Sequence, residues 1–177
     1  MLEIAKKGSE IDSAVDLIKD PYVFEFLDLP SAEKVLESEL EERFIQNLEM
    51  FLLELGKGFA FVGRQYKITL ANRHFYIDLV FYHRILKCFV LIDVKRGEIE
   101  HTDIGQMNMY LNYFAKEENT EGDNPPIGIV LGVYKDRILV EYATANITNQ
   151  LFVSKYQLYL PDEKQLQAEL ERLLSDE

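Results

Sequence analysis

Residues 75–95 read FYIDLVFYHRILKCFVLIDVK, which is two apolar runs joined by four residues. Each run is short and rich in aromatic and β-branched side chains, so it predicts a β-strand, and four residues are enough only for a hairpin turn. If that turn is symmetric about its midpoint, Asp78 lies directly opposite Asp93. Because side chains alternate along a strand, Lys95 projects from the same face as Asp93. The stretch therefore predicts two carboxylates and an ammonium group that converge on one sheet.

These charged side chains stand where an apolar core is expected. Two carboxylates so close repel each other, and burying ionised groups costs free energy unless the charge is compensated. A divalent cation between Asp78 and Asp93 would remove the repulsion, and Lys95 would offset part of it. The alternative is an ordinary Asp93–Lys95 ion pair, which is the default for exposed residues. The apolar neighbours favour a buried site instead.

The size and composition of the chain indicate a single domain. It has 177 residues, of which 47% are hydrophobic and 12% aromatic, enough for a sizeable core. We expect residues 1–30 to be an N-terminal extension or linker and residues 31–177 to form the domain. The one cysteine, Cys88, excludes an internal disulfide, and neither a signal peptide nor a membrane-spanning run is evident. We therefore expect a cytoplasmic protein without a membrane partner.

The charge of the chain is unevenly distributed. The net charge is −12, which by itself argues against a nucleic-acid partner. Residues 56–97, however, carry eight basic side chains and only two acids, Asp78 and Asp93. Lysine and arginine also protect sheet edges from aggregation, but that role does not explain the near absence of acids. A basic surface around two metal-binding acids suits a polyanion such as a phosphodiester backbone.

The pattern of apolar residues predicts an α/β fold with a mixed central sheet of about five strands flanked by helices. Helices are predicted over residues 32–55, 103–114 and 162–174 from apolar side chains three and four apart. Strands are predicted over residues 59–68, 75–83, 87–95, 127–134 and 138–143. The last two strands would be joined by a turn at residues 134–137.

Other polar residues are candidates for the same site. Gln106 and Tyr110 are four apart and so share one face of the second helix, which could look towards Asp93. Glu41 lies beside the apolar stripe of the first helix and is the acid there most suited to point inward. Arg64 and Gln65 are candidates for contact with phosphate. For the helical residues, a solvated helix surface is the competing interpretation.

Together these residues resemble a known superfamily. Asp78, a spacer and Asp93-Val94-Lys95 on a hairpin, followed by a helix with Gln-x-x-x-Tyr, resemble the PD-(D/E)xK nucleases and, in the last element, their RecB-type branch. Longer blocks are similar to one bacterial family of predicted nucleases, whose members carry a DNA-binding-like domain before the nuclease domain. Those blocks are residues 20–23, 51–56, 58–65, 76–83 and 105–108. The resemblance covers most of residues 20–160 and implies a restriction-endonuclease-like core.

The chain departs from the superfamily pattern at two positions. Ile77 stands where a proline usually precedes the first aspartate, and Asp93 stands where relatives more often have glutamate. The shorter side chain of Asp93 would shift the metal position. Neither departure removes a required chemical group.

The resemblance implies metal-assisted hydrolysis of DNA phosphodiester bonds. The ligands it implies for Mg²⁺, with Mn²⁺ as a substitute, are Asp78, Asp93, Glu41 and the Val94 carbonyl, with Glu41 acting directly or through water. Lys95 would position the attacking water or stabilise charge on phosphorus. Gln106 would orient the water, Lys95 or a phosphate, and Tyr110 would pack behind or bond to the backbone. No organic cofactor is implied.

Besides a metal-dependent hydrolase for some other phosphoester, two functions from different classes remain open at this point. The first is a Mg²⁺-dependent deoxyribonuclease in DNA repair, recombination or defence against foreign DNA. The second is an inactive module of the same fold that binds DNA or a partner protein. The resemblance also implies that an N-terminal DNA-binding domain or partner is missing from this chain. A homodimer, the choice between DNA and RNA, and exonuclease against endonuclease activity are left open by the sequence.

Overall fold

The computed structural model describes residues 11–24, 37–157, 167, 168 and 171, with the backbone alone at residues 37, 38, 40 and 41. In these ranges the strands are β1 (Tyr22–Val23), β2 (Phe59–Leu70), β3 (Arg73–His83), β4 (Cys88–Val94), β5 (Ile127–Gly132) and β6 (Gln150–Gln157). The helices are α1 (Glu37–Gln46), α2 (Leu48–Leu55), α3 (His101–Tyr113) and α4 (Arg137–Thr144). A 3-10 turn, Ala14–Leu17, precedes β1, and a π-helical turn, Phe114–Glu118, extends α3.

The strands form one mixed sheet in the order β1–β6–β5–β4–β3–β2. β2, β3 and β4 make an antiparallel meander, whereas β4, β5, β6 and β1 run parallel. Parallel neighbours need crossover connections, which α3 provides between β4 and β5 and α4 between β5 and β6. The predicted α/β class with a mixed central sheet and flanking helices is confirmed. The two-residue strand β1 makes the sheet six-stranded.

The ladder between β3 and β4 has the register that a symmetric turn predicts. Leu79 pairs with Ile92, and the pairing continues without a slip to the turn. The ladder starts at Leu79–Ile92, so the next residues outward on the two strands are Asp78 and Asp93. The two acids therefore lie where β3 and β4 part.

Beyond Asp78, β2 and β3 continue as a hairpin, residues 66–77, which we call the arm. Its two-residue turn, Ala71-Asn72, has φ of 48° and 60°. Two successive positive φ values are those of a type I′ turn, whose twist matches that of the flanking strands. The inner side chains Ile68 and Ile77 are buried against α3. The arm is thus a regular hairpin fixed on one face.

Two clusters of buried apolar side chains cover the two faces of the sheet. Phe44 of α1 and Phe51 of α2 belong to the first cluster, and Met107 of α3 belongs to the second. The close approach of α3 to β5 depends on Gly128, because a Cβ there would lie 2.8 Å from Cγ of Met107 and 2.9 Å from Cδ1 of Leu111. This packing holds α3 firmly beside the site described below.

Two predicted elements are wrong in type or extent. The helix predicted over residues 32–55 is interrupted within its described part, because Asn47 (φ −115°, ψ 34°) is not helical and separates α1 from α2. The strand predicted over residues 138–143 is helix α4. The Asp136 side chain accepts a hydrogen bond of 2.9 Å from the Leu139 amide and caps this helix. The missed strand β6 takes the predicted strand's place beside β5.

Some predictions fall on residues outside the described ranges. Of the helix predicted over residues 162–174, only residues 167, 168 and 171 are described, and they are helical. The domain boundary predicted at residue 31 stays a prediction, while Tyr22 and Phe24, which precede it, are fully buried in the first cluster. Among the described helices, none has the length and apolar character needed to cross a bilayer.

Candidate active site

Asp78 and Asp93 are linked through the backbone of the two strands. The Asp78 amide donates a hydrogen bond of 3.2 Å to Oδ1 of Asp93, and the Val94 amide donates one of 2.9 Å to Oδ2 of Asp78. Where the β3–β4 ladder has ended, each carboxylate thus replaces a carbonyl as the acceptor for the opposite strand's amide. The arrangement holds two carboxylates side by side between the strands.

Asp93 is the most unusual ionisable group in the described part of the chain. It is only 4% exposed. Burial, and after it the negative charge of Asp78, raises the pKa of Asp93 from 3.8 to about 7. The Asp78 amide and the charge of Lys95 work in the opposite direction without cancelling this rise. A cation bound here would offset both the free-energy cost of burying the ionised Asp93 carboxyl and its repulsion from Asp78.

Gln65 joins the site from the neighbouring strand. Its Nε2 donates a hydrogen bond of 3.1 Å to Oδ1 of Asp78. The flanking residues pair regularly, Arg64 with Leu79 and Tyr66 with Ile77, but Gln65 itself has φ of 43°. This left-handed conformation is uncommon for a residue with a side chain, and such residues concentrate at functional sites. The sequence suggested phosphate contact for Gln65 and gave no sign of its bond to Asp78.

Lys95 pairs with an acid that the sequence suggested only as the start of a helix. Its Nζ lies 3.6 Å from Oδ1 of Asp103, and both side chains are about one-fifth exposed. The other oxygen of Asp103 accepts a hydrogen bond of 2.9 Å from the Glu100 amide, which fixes it at the first turn of α3. The Lys95 carbonyl accepts a bond of 2.9 Å from the Tyr156 hydroxyl. The side chain of Lys95 is therefore held by Asp103, and its backbone by Tyr156.

The predicted pair on α3 is joined by a hydrogen bond, and Tyr110 lies close enough to the two aspartates to interact with their charge. Tyr110 is buried, and its hydroxyl donates a long hydrogen bond of 3.4 Å to the Tyr76 carbonyl. Burial, then the charges of Asp93 and Asp78, raise the pKa of Tyr110, while a hydrogen bond from Gln106 lowers it. Tyr110 is therefore a neutral phenol near the carboxylates, with Gln106 at its hydroxyl.

The predicted metal ligands are only partly within the described structure. Asp78, Asp93 and the backbone of Val94 are described, but the side chain of Glu41 is not. Phe44, three residues after Glu41, is fully buried in the first cluster, so α1 packs against that face of the sheet. Within the described side chains, no group of three or more acids, histidines or cysteines has metal-binding geometry. The described part thus supplies two carboxylates, whose oxygens are the ligands that Mg²⁺ prefers.

The chain is similar to known proteins along most of its length. Residues 15–171 match the family model described as the YhcG PDDEXK nuclease domain. Over 155 residues the chain is 45% identical to the protein named "Putative nuclease YhcG" of Escherichia coli (strain K12), an overlap that covers 88% of this chain and 41% of that protein. The chain therefore spans about two-fifths of the length of this curated relative.

The fold is also similar to that of a solved structure. A crystal structure of a repair endonuclease from Pyrococcus abyssi superposes with a TM-score of 0.50, over 71% of this chain and 49% of that chain. At 17% sequence identity the likeness concerns the fold alone. It confirms the restriction-endonuclease-like core that the sequence predicts.

Proposed function

We propose that this chain, which belongs to the family of YhcG PDDEXK nuclease domains, hydrolyses phosphodiester bonds of DNA with the help of a divalent cation. The observation that carries the proposal is the direct link between Asp78 and Asp93, with one of the two carboxyls buried. Mg²⁺ is the proposed cation and Mn²⁺ its substitute, because both are suited to carboxylate and carbonyl oxygens.

The proposed cation site uses the strand ends that carry the acids. Asp78, Asp93 and the Val94 carbonyl would hold the cation, with Glu41 as a further ligand, directly or through water. When bound, such an ion polarises a phosphoryl oxygen and lowers the pKa of a water molecule. The raised pKa of Asp93 supports this assignment, because a cation would favour the ionised carboxylate that burial and Asp78 disfavour.

The other site residues would act on the water and the phosphate. The Lys95 ammonium, held near Asp103, would stabilise negative charge on the phosphoryl group or position the water. Gln106, at the Tyr110 hydroxyl, would orient that water, Lys95 or a phosphate oxygen. Tyr110 would serve as a buried support, since its neutral hydroxyl donates to the Tyr76 carbonyl. Gln65 would keep Asp78 in orientation.

The choice of a nucleic-acid substrate rests on the charge of the chain, and DNA is the substrate that the resemblance to the PD-(D/E)xK nucleases implies. The only basic segment, residues 56–97, contains both acids of the proposed site. A role in repair, recombination or defence, a homodimer, and a DNA-binding domain elsewhere in the protein are parts of the same proposal. A cytoplasmic location fits these roles.

The test is cleavage of end-labelled linear, nicked and branched DNA in Mg²⁺ or Mn²⁺, with an EDTA control. We expect wild type and Asp12→Asn to cleave at equal rates, because Asp12 is an exposed acid near Leu86 and Cys88, at the end of β4 away from Asp93. Asp93→Asn should abolish cleavage without loss of folding. Wild-type protein that cuts none of these substrates would contradict the proposal and favour a module that only binds. Cleavage that persists in EDTA would contradict the need for a cation.

A further inference from the structure

The outer face of the arm is a polar surface whose first row of side chains lies two residues along β3 from Asp78. Along the arm, residues that pack towards α3 alternate with residues that face solvent. The inward set is Tyr66, Ile68, Phe75 and Ile77. The outward set, all exposed, is Lys67, Thr69, His74 and Tyr76. One side of the hairpin is therefore fixed on the core, and the other is open to a partner.

The outward residues form cross-strand rows. Lys67 pairs with Tyr76, and Thr69 pairs with His74, whose Nδ1 lies 2.8 Å from the Thr69 hydroxyl. Rows on the same face repeat every two residues, or about 7 Å along the strands. Tyr76 of the first row lies two residues from Asp78 along β3, and a two-residue step is of the order of the distance between successive phosphates in an extended strand. The surface thus leads directly away from the proposed point of cleavage.

Charge identifies the kind of partner. The chain has no acidic residue between Glu54 and Asp78. Lys67 on the outer face, and Arg73, which is exposed beside the turn at the tip of the arm, therefore stand in a segment without negative charge. Among the described residues neither of these two forms an ion pair, whereas Lys19 and Lys135 pair with nearby acids. Tyr76 adds a ring that is 50% exposed beside Lys67. Basic side chains next to an exposed aromatic ring are the combination that binds nucleic-acid strands.

We propose that the outer face and the tip of the arm bind the DNA strand adjacent to the scissile phosphate, an inference that rests on the proposed nuclease function. Lys67 and Arg73 contact its phosphates, and the Tyr76 ring packs on a sugar or base. The arm therefore sets how the substrate enters the site, while the carboxylate pair performs the cleavage.

The test compares two double variants with the same change in charge. Lys67→Ala/Arg73→Ala removes the basic residues of the arm. Lys57→Ala/Arg84→Ala removes two exposed basic residues at the opposite end of β3. Binding to a fluorescein-labelled duplex with a single-stranded tail is measured by anisotropy in EDTA over a range of salt concentrations, so that cleavage plays no part.

We expect the arm variant to bind about tenfold or more weakly, and its salt-dependence slope to fall by about 1.4–1.8, the value for two lost phosphate contacts. The control variant should bind within about twofold of wild type, because its residues do not meet a phosphate. Tyr76→Phe should retain binding, and Tyr76→Ala should weaken it, since the ring makes the contact.

Equal losses in the two double variants, or no loss in either, would overturn the arm as a specific surface. Equal binding by Tyr76→Ala and wild type would overturn the role of the ring. These results are separable from a failure of the nuclease proposal. In that case the wild-type protein would bind the labelled DNA in the way described and still leave it intact in Mg²⁺.

Discussion

The Asp78 amide lies 3.2 Å from Oδ1 of Asp93 and donates a hydrogen bond to it, so the backbone of one acid stabilises the side chain of the other. The bond lowers the pKa of Asp93, but burial and the negative charge of Asp78 raise it by more. In the absence of a cation, Asp93 therefore ionises only at a higher pH than an ordinary aspartate. This relationship connects the stability of the domain with its proposed chemistry.

The first prediction concerns stability as a function of pH in the metal-free protein. A carboxyl whose pKa is raised by folding stabilises the native state while it is protonated. For Asp93 this stabilisation is complete below about pH 3.9, the pKa of an unfolded aspartate, and is lost as the pH rises through about 7. Asp93→Asn should therefore melt several degrees above wild type near pH 8, and this advantage should be clearly smaller near pH 5.

The control for this prediction is Asp12→Asn, which removes an exposed acid. Its melting temperature should differ from that of wild type by the same small amount at both pH values. Scanning calorimetry in EDTA gives the comparison. An Asp93→Asn protein that is less stable than wild type near pH 8 would contradict the raised pKa.

The second prediction concerns the ion pair of Lys95 with Asp103. Lys95→Ala should reduce kcat for cleavage by about 10²–10³-fold, the effect of removing one group that stabilises transition-state charge. Asp103→Asn keeps an acceptor for the Glu100 amide but loses the ion pair, so its fall in kcat should be smaller, with KM unchanged. Asp136→Asn changes the capping acid of α4 in the same way and should leave both parameters unaltered. A wild-type kcat in Asp103→Asn would exclude a positioning role.

The third prediction separates the backbone of Gln65 from its side chain. At φ of 43°, alanine is strained and glycine is not. Gln65→Gly should therefore be more stable than Gln65→Ala by about 1 kcal/mol in urea unfolding. Both variants lose the hydrogen bond to Asp78 and should lose cleavage activity to the same extent. Equal stability of the two variants would count against the left-handed conformation.

The fourth prediction concerns how the fold positions α3. Gly128→Ala places a Cβ against Met107 and Leu111, and overpacking of this kind costs about 1–3 kcal/mol. Because α3 carries Gln106 and Tyr110, cleavage should fall as well. The matched control is Gly97→Ala, where an added Cβ meets nothing within 4 Å. Denaturant unfolding of both variants, with equal slopes, measures the difference, and equal midpoints would contradict the close packing.

The central hairpin could be predicted from the sequence because neighbouring residues alone determine it. A short turn fixes the register of β3 and β4, and polar residues inside apolar runs identify the acids. Helix α4 was missed because Ile138 and Val140 suggested a strand, although Leu139, Val140 and Ala143 pack inward and Ile138 faces solvent, as in a helix. Its cap, Asp136, was the available signal.

Parts of the site depend on contacts between distant segments, and no local pattern encodes them. The bond from Gln65 to Asp78 requires a left-handed residue in the middle of β2, which side-chain type does not indicate. The ion pair of Lys95 with Asp103 depends on the path of the chain between β4 and α3. The roles of Asp78, Asp93, Lys95, Glu41, Gln106 and Tyr110 stay predictions until they are measured.

Binding of a divalent cation by the two aspartates is the central claim, and calorimetric titration with Mn²⁺ tests it most directly. At about pH 8, where Asp93 of wild type is largely ionised, wild type and Asp12→Asn should bind the ion with the same affinity. Asp78→Asn and Asp93→Asn should each lose that binding, and Glu41→Gln should weaken it. Unchanged Mn²⁺ binding by Asp93→Asn would contradict the account.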